Sequence, residues 1–257
     1  TLLSSKPVLY LKLPDRLSLF ESTGLLSRFL ASSKQSASYF GLLLLLRQVR
    51  EHSLTHLCIE IPPDFESAVN FSQVFDLVAE LDRIRETGVI IIAHSSGGGL
   101  KSLLLLSAAK VRYTNEGVSY ITALPHNESF YYADFLKQFG VNIEIYHAGK
   151  YKSAGESLSR RNSSAAAREN LTTILNQFKA LIIDRFQKTP DLTKKQFANL
   201  KKLLQTQSIS SSEDLVNVGF SKQALGIRYF KIGIAGQFLP KEKLNITESD
   251  KSTPEDE

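Results

Sequence analysis

Apolar positions along the chain alternate between two periods. Residues 8–13, 56–61, 89–93, 111–114, 119–123 and 141–147 are short apolar or alternating runs that predict strands. Val89, Ile90, Ile91, Ile92 and Ala93 are apolar at every position, as a strand covered on both faces requires. Between these runs the spacing turns helical. Residues 39–52 predict a helix, and Val74, Leu77, Val78, Leu81 and Ile84 form an apolar stripe that Ser72 would cap and Gly88 would end. Helices are also predicted from residue 100 to Ala109 and over 130–139, 193–207 and 212–218. Leu171, Ile174, Leu175, Phe178, Leu181 and Ile182 fall on one face of another. Residues 16–38 are serine-rich and show no clean period. This succession predicts an α/β layered domain.

Composition adjusts that picture only slightly. The chain has 257 residues, 42% of them apolar and 22% charged, ordinary values for a globular domain. We expect a single domain over residues 1–247 and an acidic tail or linker over 248–257. The net charge of +5 is mild, and basic and aromatic residues do not interleave, so nucleic acid is not expected as a partner. No apolar run reaches the length of a membrane span.

The candidate chemistry lies in two places. Ser96, Gly97, Gly98 and Gly99 follow the 89–93 strand and open a helix, a turn whose backbone N–H groups suit an anion or an oxyanion; a plain tight turn fits equally. His94 beside Ser95 and Ser96 suggests a base, against which stands the rule that adjacent strand residues point to opposite faces. The second place is the run from Gly149 to Leu158, between a predicted strand and a long helix. There Lys152 is either a solvated loop lysine or, if desolvated, a general base. His52, His56, His126 and His147 show no zinc spacing, and no metal or cofactor is expected. Glu80, Asp82 and Glu86 read as helix-surface carboxylates. The single cysteine, Cys58, reads as a core residue.

Residues 150–171 resemble the catalytic-lysine segment of the signal peptide peptidase A family, membrane-associated Ser/Lys peptidases of the Clp protease–crotonase superfamily. Residues 215–220 resemble the family's closing segment. Phe130, Tyr131 and Tyr132 resemble its aromatic pair, although helix packing explains them equally. The resemblance implies a crotonase/Clp-like spiral of small sheets flanked by helices. It implies Lys152 as general base, with Tyr151 and Ser153 in support and Gly97, Gly98 and Gly99 at the oxyanion turn. Counting back from Ser107-Ala108-Ala109 puts Gly99 or Leu100 at the nucleophile position, and neither can attack a carbonyl. Ser102 is a weaker alternative, with Ser95 and Ser96 also off register. The family commonly has a Gly-Gly pair after strand two, where this chain has Pro62-Pro63-Asp64-Phe65. Both departures resemble the first of two tandem copies, which keeps the lysine and leaves the serine to the second. The resemblance further implies peptide substrates, an oligomer or a tandem second domain, and a membrane-associated, extracytoplasmic location with its anchor outside this chain. A non-catalytic scaffold of the same fold is the alternative.

Overall fold

The computed structural model describes residues 8–18, 36–52, 54–146 and 153–238. The chain divides into two compact units, one of residues 1–122 with 186–257, the other of residues 123–185.

The first unit begins with β1 (Val8–Lys12), β2 (Arg16–Ser18), β3 (Ser36–Ser38) and α1 (Tyr39–Glu51). It continues through β4 (His56–Ile61), α2 (Phe65–Ala68), α3 (Phe71–Glu86), β5 (Ile90–Ser95), α4 (Leu100–Leu106), β6 (Val111–Thr114) and β7 (Ser119–Ile121). Strands β1, β4, β5 and β6 make a parallel sheet in that spatial order, with a late strand, Gln223–Ala224, added beside β6. The second unit holds α5 (Ala133–Gln138), α6 (Glu156–Ser159) and most of α7 (Ala165–Gln187). The chain then returns to the first unit with α8 (Lys194–Thr206), β8 (Ile209–Ser211), α9 (Ser212–Asn217), β9 (Gln223–Ala224) and α10 (Ile227–Phe238). Two further two-stranded sheets pair β2 with β3 and β7 with β8. The fold is α/β, a parallel sheet flanked by helices, as the alternating periods predict.

β5 is central, and its residues 90–93 are continuously apolar because both of its faces are covered. On one face Cys58 and Ile92 pack with Phe230 of α10. Burial pushes the Cys58 thiol up to about 11, which keeps it an inert core group, as expected. Leu57, Ile59, Ile61 and Ile91 alternate to the opposite face and are buried. α1 and α3 pack on each other, and Leu42, Leu46, Val74, Leu77 and Leu81 on them are buried.

Several boundaries differ from expectation. Asn70 caps α3, not Ser72: its side chain accepts from Gln73 N while Gln73 answers at the Asn70 N–H, a complete capping box. Glu80 is not a surface carboxylate. It is buried where α1 crosses α3 and pairs with Arg83 at 2.7 Å and Arg50 at 3.2 Å. The serine-rich stretch 16–38 contributes β2 and β3, too short to show a period. The predicted helix 130–139 is formed only over Ala133–Gln138. Residues 141–146, expected as a strand, form no ladder with any described residue. Ile143 and Ile145 turn partly inward and Asn142, Glu144 and Tyr146 outward, so the alternation holds from 142 on, with Val141 exposed as well, but no described strand lies alongside to take the hydrogen bonds.

Candidate functional site

β5 delivers the glycine turn at its carboxyl end, the edge where parallel α/β sheets place their ligands. Ser95 is buried and donates to the Gly97 carbonyl at 3.0 Å, while its own carbonyl accepts from the Tyr120 hydroxyl at 2.7 Å. The turn needs glycine at 98: φ is +114°, and a Cβ there would lie 2.5 Å from Ser102 Oγ.

The donors of this turn are engaged by a residue that the sequence reading did not single out. Glu66 Oε2 accepts from Gly99 N and Ser102 N, both at 2.9 Å, and from Ser102 Oγ at 3.0 Å. Its other oxygen accepts from Lys101 N at 3.2 Å. Converging N–H groups at a helix start favour an anion, and here the anion is the protein's own carboxylate. Ser102 is fully buried beneath it. Leu100 is buried in α4 and offers no polar atom. The nearby Lys101 ammonium donates to the Val69 carbonyl at 2.7 Å. The one local signal for Glu66 is the acidic pair Asp64 and Glu66 directly after Pro62-Pro63. The contact crosses 33 residues, which no local pattern records.

His94 is fully buried. Its Nε2 lies 2.7 Å from the Leu225 carbonyl, and its Nδ1 lies 3.5 Å from Ser96 Oγ. Ser95 points away, as the alternation rule demands, but Ser96 stands two residues on and shares the face of His94. The other described histidines have local partners: His52 the Gln48 carbonyl, His56 the Thr55 hydroxyl and His126 the Leu124 carbonyl.

The lysine-bearing segment lies in the second unit. Tyr151 and Lys152 fall outside the described residues, as does His147. Ser153 is exposed. From there the motif is a structural clamp. Gly155 opens α6 at φ +88°, and a Cβ would come within 2.2 Å of Ile145 Cδ1. Glu156 is buried and accepts from Ser164 N at 2.9 Å, while Ser164 Oγ accepts from Ala167 N and so caps α7. The Ser157 carbonyl accepts from Tyr132 N at 2.7 Å, tying α6 to the start of α5. Beside this clamp lies a cavity of about 430 Å³, lined by residues 143–146 and by Glu156, Ser159, Arg160 and Ser164 among others.

Residues 126–224 match the model of Peptidase family S49. That stretch contains the lysine-bearing segment and the closing residues 215–220, so the resemblance read from the sequence holds across both. No curated protein sequence matches the chain. The chain is similar to solved structures that include a double variant of HypX from Aquifex aeolicus, at 12% identity and TM-score 0.43, covering 83% of this chain. It spans only 33% of the HypX chain. It is also similar to a lysine mutant of the 1510-N membrane-bound stomatin-specific protease in complex with a substrate peptide, at 7% identity and TM-score 0.42, covering 86% of this chain and 76% of that one. A third is an enoyl-CoA hydratase/isomerase from Marinobacter aquaeolei, at 8% identity and TM-score 0.42, covering 82% of this chain and 69% of that one.

Proposed function

We propose that this chain is the lysine-bearing half of a Ser/Lys-dyad peptidase that degrades signal peptides or other membrane-released peptides. The observation that carries this reading is the Peptidase family S49 match over residues 126–224, which includes Lys152. In the proposed reaction a serine hydroxyl attacks the peptide carbonyl. Neutral Lys152 takes the hydroxyl proton and returns it to the leaving amine. Shielding from water keeps the lysine neutral. The serine comes from a second domain or another chain, and the working form is an oligomer at the extracytoplasmic face of a membrane. Ser153 and Tyr151 support the lysine, and no cofactor takes part.

A second reading is favoured by a specific contact. Glu66 engages Gly99 N and Ser102 N, the donors that would otherwise face an oxyanion. A scaffold that kept the fold and gave up the chemistry would tolerate that occupation. Co-expression with a serine-bearing copy of the same fold separates the two readings. Cleavage of a fluorogenic peptide by the mixed assembly should fall at least about 100-fold in Lys152→Ala, the scale of losing a general base, while the assembly's mass holds. Cleavage unchanged by Lys152→Ala would establish the scaffold.

A further inference from the structure

We propose that Ser96 and His94 form a separate nucleophilic site, a serine–histidine pair on the carboxyl edge of β5 that accepts acyl groups from esters. This site is independent of Lys152 and of the peptidase reading.

The geometry starts at Leu225. A carbonyl can only accept, so His94 Nε2, 2.7 Å away, carries the ring proton in the neutral imidazole. Nδ1 then holds the free lone pair, and the hydroxyl facing it is Ser96 Oγ at 3.5 Å. That spacing is long for a hydrogen bond, and catalytic pairs shorten when substrate arrives. The Leu225 carbonyl fixes both the tautomer and the ring plane, the part an orienting third group plays in nucleophilic triads.

The surroundings suit the chemistry. Ser96 is partly exposed while His94 is enclosed, so the nucleophile is reachable and the base is dry. Burial lowers the affinity of His94 for a proton below the ordinary value of 6.5, leaving it a free base at neutral pH. Glu60, directly across on β4, carries a charge that favours the imidazolium once the proton has moved. That carboxylate is held by the Tyr10 hydroxyl and by Lys231 Nζ at 3.1 Å. Among the described residues neither the Gly97 nor the Gly98 N–H finds an acceptor, which leaves two amides beside Ser96 for a developing oxyanion. Phe230, whose ring centroid is 5.0 Å from that of His94, packs against the enclosed base.

In the reaction Ser96 Oγ bonds to the ester carbon and its proton passes to His94 Nδ1. The C–O bond to the alcohol breaks, and the alcohol leaves with that proton. Water then repeats the sequence, releasing the carboxylic acid and restoring Ser96.

The test uses the full chain and a fluorophosphonate probe, in which Ser96 Oγ bonds to phosphorus as fluoride leaves. Peptide mapping should find the label on Ser96, and Ser96→Ala should remove it. His94→Gln should slow labelling at least about 100-fold. Since His94 is buried, the unmodified chain supplies a second readout: the labelling rate should hold at neutral pH and fall only below 6.5. Label on another serine or none, a rate untouched by His94→Gln in a folded variant, or a flat pH profile would each overturn the proposal.

Discussion

Glu66 and His94 are the residues on which the first unit's chemistry turns, and neither role is written in local sequence. A carboxylate holding three backbone N–H groups and a hydroxyl should matter for stability whatever the catalytic outcome. Glu66→Ala leaves those donors without their anion, at a cost of about 1–3 kcal/mol. For a chain of this size that is a Tm lower by roughly 2–10 °C, read by calorimetry. An unchanged Tm would mean that water replaces the carboxylate without loss. His94 carries the opposite kind of information. Its pKa in the fold lies below 6.5, first because it is buried, with Lys231 adding to the effect and the Leu225 carbonyl and Glu60 opposing it. Below 6.5 the unfolded chain takes up a proton that the folded chain refuses, so stability falls as pH falls. Urea midpoints at about pH 7.5 and 5.5 should differ more in the unmodified chain than in His94→Gln. Equal differences would show that His94 does not carry this linkage. The sequence placed His94 next to two serines, but only the register of β5 decides that Ser96 shares its face and Ser95 does not.

At the scale of elements, legibility follows length and burial. β4, β5, α1 and α3 were readable because each holds a run of consistent period, and Gly88 and Pro62 mark ends, whereas the start of α3 was misplaced at Ser72 because the Asn70–Gln73 capping box shows only in its contacts. β2 and β3, at three residues each, have too few positions to establish a period. Residues 141–146 carry a strand's alternation, yet a strand exists only when a neighbour completes its hydrogen bonds, and that neighbour is not a property of the segment. The lysine motif was legible as a motif, but what its downstream half does became clear only from contacts: Gly155 makes room for Ile145, and Glu156 holds the start of α7. Gly155→Ala should therefore destabilise the second unit through both the positive φ and the 2.2 Å approach to Ile145 Cδ1. A loss of more than about 1 kcal/mol is expected, seen as faster amide exchange over residues 133–170. Exchange unchanged there would mean that Ile145 simply moves aside.

For the whole molecule, the distribution of exposed apolar side chains is the feature that composition conceals. An apolar fraction of 42% is ordinary, but its placement in the second unit is not. Phe130, Phe135, Phe139 and Tyr146 are 73%, 57%, 69% and 89% exposed, and the rings of Phe135 and Phe139 stack edge to face at 5.0 Å. Folded monomers rarely leave so many aromatics to water, and such surfaces commonly mark assembly. The net charge of +5 is too small to hold copies apart at physiological ionic strength. We therefore expect the chain to self-associate through these aromatics, in line with the proposed oligomeric peptidase. Light scattering after size exclusion, at tens of micromolar chain and about 0.15 M salt, should give a mass above the 28.7 kDa of one copy. Phe135→Ser with Phe139→Ser should shift the population toward that single-copy mass without lowering the Tm, because exposed rings add little to the fold and much to a contact. A chain that is monomeric before any substitution would remove self-assembly from the reading and leave the serine that Lys152 needs to a second domain or a different chain.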